Sequence, residues 1–211
     1  MFTGIVQGLC KIVKLERSKN LLQFCLDMPD LVEGLTQGAS VAVNGVCLTV
    51  VHVSGTLVNF DVIQETLNLT NLHLVGEGAR VNVERSFKYG DEVGGHILSG
   101  HIICCVEVKN IVQDSNLRDI TFSVDRQYLA YLMHKGFVAL DGASLTISNV
   151  NQEYSEFSVS LIPETISRTT LGFSGLAAGD KINLEIDSRT QSIVDTVRQM
   201  LHDPELIKNL T

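Results

Sequence analysis

Val41-Ala42-Val43-Asn44-Gly45-Val46-Cys47-Leu48-Thr49-Val50 returns 97 positions later as Val138-Ala139-Leu140-Asp141-Gly142-Ala143-Ser144-Leu145-Thr146-Ile147. Asn-Gly and Asp-Gly favour tight turns because both residues tolerate positive φ. Working outward, four further pieces recur in the same order. Thr3-Gly4-Ile5-Val6 matches Ser99-Gly100-His101-Ile102, and Gln64-Glu65-Thr66-Leu67 matches Pro163-Glu164-Thr165-Ile166. Thr70-Asn71-Leu72 matches Thr169-Thr170-Leu171, and Gly78 to Glu84 matches Gly179 to Glu185. Collinear self-similarity at a domain-sized period means two copies of one fold.

Each copy reads as β-rich. Val50 to Val53, Val58 to Val62 and Arg80 to Glu84 are short β-branched runs punctuated by Gly, Asn, Asp and Ser, as at Ser54-Gly55. Many short strands with regular turns indicate a small closed barrel per copy. Short helices are expected at Glu65 to Leu72, Glu164 to Leu171 and Tyr128 to His134. The tail differs: from Asp187 to Leu201 the pattern is helical, with Ile193, Val197 and Leu201 on one stripe and Val194 and Met200 beside it. Asp195, Arg198, Gln199 and His202 take the other face, and Asp187 or Ser188 caps the start. The stripe either packs on its own barrel or buries itself between subunits, and the second is the expectation, because a helix appended after a complete barrel has little other reason to carry it. The expected division is residues 1–97, 98–187 and 188–211: two barrels, then an oligomerisation helix and tail. The fold class is thus all-β, two tandem small closed barrels followed by a C-terminal α-helix.

The bulk numbers limit the function. A net charge of −8 argues against nucleic acid, whose phosphates call for a basic surface. No apolar run reaches the ~18 residues a membrane span needs. Met1-Phe2-Thr3-Gly4-Ile5-Val6 lacks the basic and apolar regions of a signal peptide and reads as a strand starting almost at the initiator Met. The five cysteines, Cys10, Cys25, Cys47, Cys104 and Cys105, form neither a CxxC pair nor a His/Cys cluster. They read as reduced thiols in a cytoplasmic protein, with no metal site.

The opening Met1 to Val6, the paired Asn-Gly-x-Cys-Leu-Thr and Asp-Gly-x-Ser-Leu-Thr segments, and Gly94-Gly95-His96-Ile97-Leu98-Ser99-Gly100-His101 together resemble the riboflavin synthase family, alpha-chain type, over roughly Met1 to Leu201. The resemblance implies an all-β fold of two tandem six-stranded Greek-key barrels, each binding one 6,7-dimethyl-8-ribityllumazine. It implies a homotrimer held by C-terminal helices, with the active site between the first barrel of one subunit and the second barrel of its neighbour. The reaction transfers a four-carbon unit between two lumazines, giving riboflavin and 5-amino-6-ribitylamino-uracil, the last step of riboflavin biosynthesis. It implies no metal or organic cofactor, and lumazine synthase as a partner.

The substrate pockets are expected from matching pieces. In the first barrel these are Gly4, Ile5 and Val6, then Cys47, Leu48 and Thr49, then Asp61, Val62, Ile63, Gln64, Glu65 and Thr66. In the second they are Gly100, His101 and Ile102, then Ser144, Leu145 and Thr146, then Ser160, Leu161, Ile162, Pro163, Glu164 and Thr165. Phe2, packed beside the ligand, together with Ser40 and Lys135, completes the set. The copies differ at Ile5/His101, Cys47/Ser144, Asn44/Asp141 and Gly38/Lys135. These differences make His101 the candidate proton shuttle and Cys47 the candidate nucleophile or polar contact; the resemblance implies Ser144 delivering a hydroxyl or activating water, and Asp187 polarising it. The main rival is a non-catalytic lumazine or flavin antenna protein. A flavin-dependent oxidoreductase would need a dinucleotide fingerprint that Gly90 to Gly100 lacks.

Overall fold

The computed structural model describes residues 1–114 and 116–203; residues 204–211 of the expected tail lie outside the described residues. Among the described residues twelve strands form two closed barrels. The first contains β1 (Gly8–Arg17), β2 (Leu21–Asp27), β3 (Ser40–Val43), β4 (Val46–Ser54), β5 (Leu57–Ile63) and β6 (Arg80–Arg85). Around the barrel they run β1-β2-β5-β4-β3-β6, all pairs antiparallel, a Greek key. The second barrel repeats that order with β7 (Cys104–Asp114), β8 (Leu117–Ser123), β9 (Phe137–Leu140), β10 (Ala143–Asn151), β11 (Glu156–Leu161) and β12 (Lys181–Ile186). Among the described residues no helix is long and apolar enough to cross a membrane.

Period-2 alternation decides the wall of each barrel. Along β5 the side chains of Val58, Phe60 and Val62 are buried while Leu57, Asp61 and Ile63 are exposed. Phe24 and Phe60 meet inside the first barrel at 5.6 Å between centroids, and their equivalents Phe122 and Phe157 meet inside the second at 5.3 Å. Such a pair adds about 0.5–1.5 kcal/mol beyond its burial. Bulges recur at matching places, between Ile12 and Lys14, Val50 and His52, Val108 and Asn110, and Ile147 and Asn149. Each adds local twist that bends its strand around the closure.

The quoted segments are β3–β4 and β9–β10 hairpins. Asn44 and Gly45 have φ of 45° and 78°, Asp141 and Gly142 of 45° and 81°, as a two-residue turn on right-twisted strands requires. The two turns meet tip to tip: a Cβ on Gly45 would lie 2.6 Å from Gly142 N. An amide network surrounds them. Asn183 Nδ2 donates to Asn44 O and Asn71 Oδ1, Asn82 Nδ2 donates to Asp141 O, and Asn71 Nδ2 donates to Asp141 Oδ1, all at 2.8–2.9 Å. These bonds join the barrels across a local pseudo-twofold axis.

The expected helices are shorter than their patterns. α1 (Gln64–Leu69) and α2 (Pro163–Arg168) stop at Thr70 and Thr169, whose extended φ and ψ break the helix, and a 3-10 turn follows each. The Tyr128 to His134 helix is a 3-10 turn over Arg126–Tyr131. α3 (Ser188–His202) is capped by Asp187, whose carboxylate accepts from Arg189 N and Thr190 N. The polar face of α3 docks: Tyr131 Oη donates to Asp195 Oδ1 at 2.5 Å, and Arg198 lies over the Tyr131 ring. Ile193, Val197 and Leu201 stay 66%, 50% and 75% exposed.

One expectation is corrected. Met1 to Val6 is not a strand of its own barrel, since β1 begins at Gly8. Phe2 makes a single antiparallel bridge to Leu98, and the residues after it cross to the second barrel.

Candidate active site

The crossing is reciprocal. Glu84, at the end of β6, is buried and accepts from Thr3 N, Thr3 Oγ1 and Gly4 N at 2.6–3.0 Å. Glu185 on β12 holds Ser99 N, Ser99 Oγ and Gly100 N in the same way. Burial pushes both carboxyls up, and these donors partly offset it. So anchored, each lead reaches the other repeat's hairpin: Gly4 O accepts from Ser144 N at 2.8 Å, and Gly100 O from Cys47 N at 2.9 Å. Gly4 and Gly100 have φ of 76° and 79°, and a Cβ on either would lie 2.5 Å from the hairpin residue's own Cβ. Val6 then joins the core of the second barrel and Ile102 that of the first.

The pockets are therefore not built as the matching pieces suggest. A cavity of about 270 Å³ combines Val46, Cys47, Glu65, Thr66, Leu69 and Thr70 of the first repeat with Gly100, His101 and Ile102 of the second. A cavity of about 110 Å³ combines Ala143, Ser144, Glu164, Thr165, Arg168 and Thr169 with Gly4, Ile5 and Val6. The linings correspond residue for residue, with the lead segments exchanged. Each lead is tethered to its own last strand by the buried glutamate, and its carbonyl accepts from the hairpin N–H across the axis.

The exchange sorts the catalytic candidates. Cys47 and His101, from different repeats, share one cavity. Ser144 opens on the other and meets a residue that the comparison of copies passed over: its Oγ lies 2.6 Å from His96 Nδ1. His96 is buried and stacks on Phe137 at 5.1 Å. Burial lowers its pKa, opposed by the negative charge of Asp187. Burial thus favours the neutral imidazole, and Nδ1 shares a hydrogen bond with the serine hydroxyl. Its Nε2 is buried without a hydrogen-bond partner, so Asp187 acts on it through space while capping α3. Gly95 makes the approach feasible, because a Cβ there would lie 2.4 Å from Thr3 O and 2.6 Å from Ser144 Cβ.

Other expected residues fall elsewhere. Phe2 is 1% exposed and sits between the barrels with Ala42, Leu98 and Ala139, where Cys47 packs on the cluster. It lines neither cavity. Leu48, Val62, Leu145 and Leu161 point into the barrel cores, because neighbours on a strand face opposite ways. Thr49, Thr146 and Ser160 are exposed on the outer faces, and Asp61 accepts from Gln23 Nε2 at 2.9 Å. Ser40, Ile63, Gln64, Ile162 and Pro163 line neither cavity. Lys135 takes the left-handed conformation of its counterpart Gly38, with φ of 65° against 85°, and its N–H bonds Ile147 O as that of Gly38 bonds Val50 O. Its side chain lies outside both cavities. Among the described residues no group of three or more His, Cys, Asp or Glu is placed to hold a metal ion.

Comparison with known proteins fits this duplicated geometry. The lumazine binding domain profile matches twice, at residues 3–86 and 99–187. The riboflavin synthase of Escherichia coli (strain K12) is 48% identical over 95% of this chain and 93% of its own. This chain belongs to the riboflavin synthase family. The riboflavin synthase of Buchnera aphidicola subsp. Schizaphis graminum is 44% identical over 95% of this chain and 96% of its own. Among solved structures, LumP complexed with 6,7-dimethyl-8-(1'-D-ribityl) lumazine superposes with a TM-score of 0.78 at 27% identity, covering 88% of this chain and 98% of that one. Within the family, the matched ranges begin at the two lead segments, the pieces that cross between barrels.

Proposed function

We propose that this chain is a riboflavin synthase, joining two molecules of 6,7-dimethyl-8-ribityllumazine by four-carbon transfer to give riboflavin and 5-amino-6-ribitylamino-uracil. The observation that carries the reading is the pair of cavities lined by corresponding residues but armed differently, Cys47 with His101 in one and Ser144, hydrogen-bonded to the buried His96 behind it, in the other. A reaction between two copies of one substrate needs two similar seats, and it needs them to treat their occupants differently. The 7-methyl carbanion of the lumazine delocalises into its ring, so no extreme base is required. Positioning of two flat reactants supplies much of the barrier reduction.

In this reading Ser144, its hydroxyl drawn to neutral His96, adds to the ring or activates water at it, and His96 carries the proton. Asp187 stabilises the imidazolium formed in passing. Cys47 and His101 serve the other seat as polar contact and proton shuttle. Glu65, Glu164, Thr66 and Thr165 accept from and donate to the ribityl hydroxyls. Each chain carries one half-set of each kind, so a neighbour can supply the complement, and assembly as a homotrimer through the apolar stripe of α3 is part of the proposal. So are a cytoplasmic location, which suits five free thiols, and association with lumazine synthase, tested by co-sedimentation.

Purified protein mixed with the lumazine alone tests the function. Riboflavin absorbance is expected to grow without added cofactor, with one riboflavin formed per two lumazines consumed. Tight binding without turnover would instead assign the chain to the antenna proteins.

A further inference from the structure

The two cavities differ at a position that the catalytic candidates do not explain. Arg168 at the end of α2 stands where Leu69 stands at the end of α1. Its Nε donates to Glu164 Oε1 one helical turn back, and both side chains line the cavity of the second-repeat hairpin. In the other cavity Glu65 has no such partner, because leucine offers no donor. Glu, Thr, Thr and Gly are shared by the two linings, and the cavity that carries the ion pair is less than half the volume of the other, about 110 against 270 Å³.

We infer that the Arg168–Glu164 pair is a clasp that narrows the Ser144 seat, making Arg168 a positioning residue that sets the order in which the two seats fill. This rests on the proposal that both cavities bind lumazine. The open Cys47 seat takes its ligand first. The second ligand must swing the guanidinium aside and take Glu164 from it. Both side chains of the pair are well exposed, at 60% and 65%, so the clasp is weak. An exposed ion pair of this kind contributes at most about 1 kcal/mol, which sets its effect on affinity at roughly twofold to fivefold. A clasp of that strength orders filling without blocking it.

The experiment is equilibrium titration of the full chain with riboflavin and with 6,7-dimethyl-8-ribityllumazine, followed by fluorescence, for wild type, Arg168→Leu, Arg168→Lys and Leu69→Arg. Wild type is expected to show two classes of site. Arg168→Leu is expected to tighten the weaker class by about twofold to fivefold, leave the tighter class alone and lower KM more than it changes kcat. Arg168→Lys keeps the pair and is expected to hold most of the inequality. Leu69→Arg is expected to weaken the tighter class. Raising salt should tighten the weaker class in wild type and not in Arg168→Leu, because exposed ion pairs are screened. An unchanged or abolished weaker class in Arg168→Leu overturns the clasp and leaves the function standing. So does a Lys variant that behaves like the Leu variant. Failure of wild type to bind lumazine at all overturns the function, and the clasp with it.

Discussion

Asp141→Asn is expected to stabilise this protein at alkaline pH and to do little at acid pH. Asp141 lies in the amide network between the barrels and is 2% exposed. Its Oδ1 accepts from Asn183 N and Asn71 Nδ2, both at 2.9 Å, but Oδ2 has only Thr170 Oγ1 at 3.4 Å. Burial pushes its pKa from 3.8 up to about 7, against the pull of those donors. A carboxyl whose folded pKa is raised binds more protons folded than unfolded between the two values. Stability therefore falls as pH rises from about 4 to about 7, and the full penalty applies above that window. At about 1.36 kcal/mol per pKa unit, the charged carboxylate costs about 4 kcal/mol at pH 8. The first repeat shows the neutral solution already in place: Asn44, the counterpart, accepts from Asn82 N through Oδ1 at 2.8 Å and donates to Asn71 through Nδ2. An amide at 141 would keep both bonds to Oδ1 and donate to Thr170 Oγ1. Urea denaturation followed by circular dichroism at pH 5 and pH 8, at one protomer concentration, measures the effect. The variant should gain about 2–4 kcal/mol over wild type at pH 8, about two-fifths of that at pH 5 and almost nothing below pH 4. A difference that does not change with pH, or a less stable variant at pH 8, would show that the network does not hold Asp141 as a destabilised charge.

Two further outcomes follow from the site. His96→Gln keeps a hydrogen-bonding side chain near Ser144 but cannot carry the proton, so kcat should fall by about 100-fold or more while riboflavin binding stays within a few-fold. Steady-state rates and fluorescence titration separate the two, and full turnover would remove His96 from the mechanism. Replacing Ile193, Val197 and Leu201 together by Ser leaves the Asp195 and Arg198 contacts to Tyr131 intact. It should lower the sedimenting mass and the activity together, and an unchanged mass with full turnover would refute the role of the α3 stripe in assembly.

The duplicated barrel was legible because its determinants are local. A period-2 pattern, an Asn-Gly or Asp-Gly turn and a β-branched run each act over a few residues, and their repetition at a near-constant shift fixes the number of barrels. The α3 helix and its cap were legible for the same reason, and so was the polarity of its two faces. The destination of the lead segments was not. Gly4 and Gly100 look alike whether they bond their own hairpin or the other one, and the choice is made by contacts between residues far apart in sequence. Glu84 and Glu185 were visible as a matched pair closing the last repeated piece, yet nothing local says that a buried glutamate holds the start of the same repeat. His96 escaped for a different reason. Comparison of copies gives weight to paired positions, and His96 lies in the stretch between the aligned pieces, where only its neighbours Gly94 and Gly95 hinted at close packing.

The reciprocal crossing has a consequence for the proposed first domain, residues 1–97. Cut free, it keeps its barrel, its Cys47 hairpin and its lead Thr3 to Val6, still tethered by Glu84. It loses Gly100, whose carbonyl satisfies Cys47 N, and Ile102, which completes the barrel core. It also loses Ser144, to which its own lead is bonded. Each copy then has one unsatisfied lead and one vacant hairpin, and the lead cannot turn back on its own hairpin while Glu84 holds it facing the axis. Two copies related by a twofold solve both problems at once: the lead of each docks on the hairpin of the other, with Val6 taking the place of Ile102. Sedimentation equilibrium of residues 1–97 should therefore give a dimer. The dimer should contain two equivalent cavities with Ile5 in the position of His101, and these should bind riboflavin without forming it from lumazine. Gly4→Ala should return it to monomer, because the added Cβ would need the space of the facing Cys47 Cβ, as it would that of Ser144 in the full chain. A stable monomer that binds riboflavin at full affinity would mean that the leads are dispensable and that the crossing does not build the site.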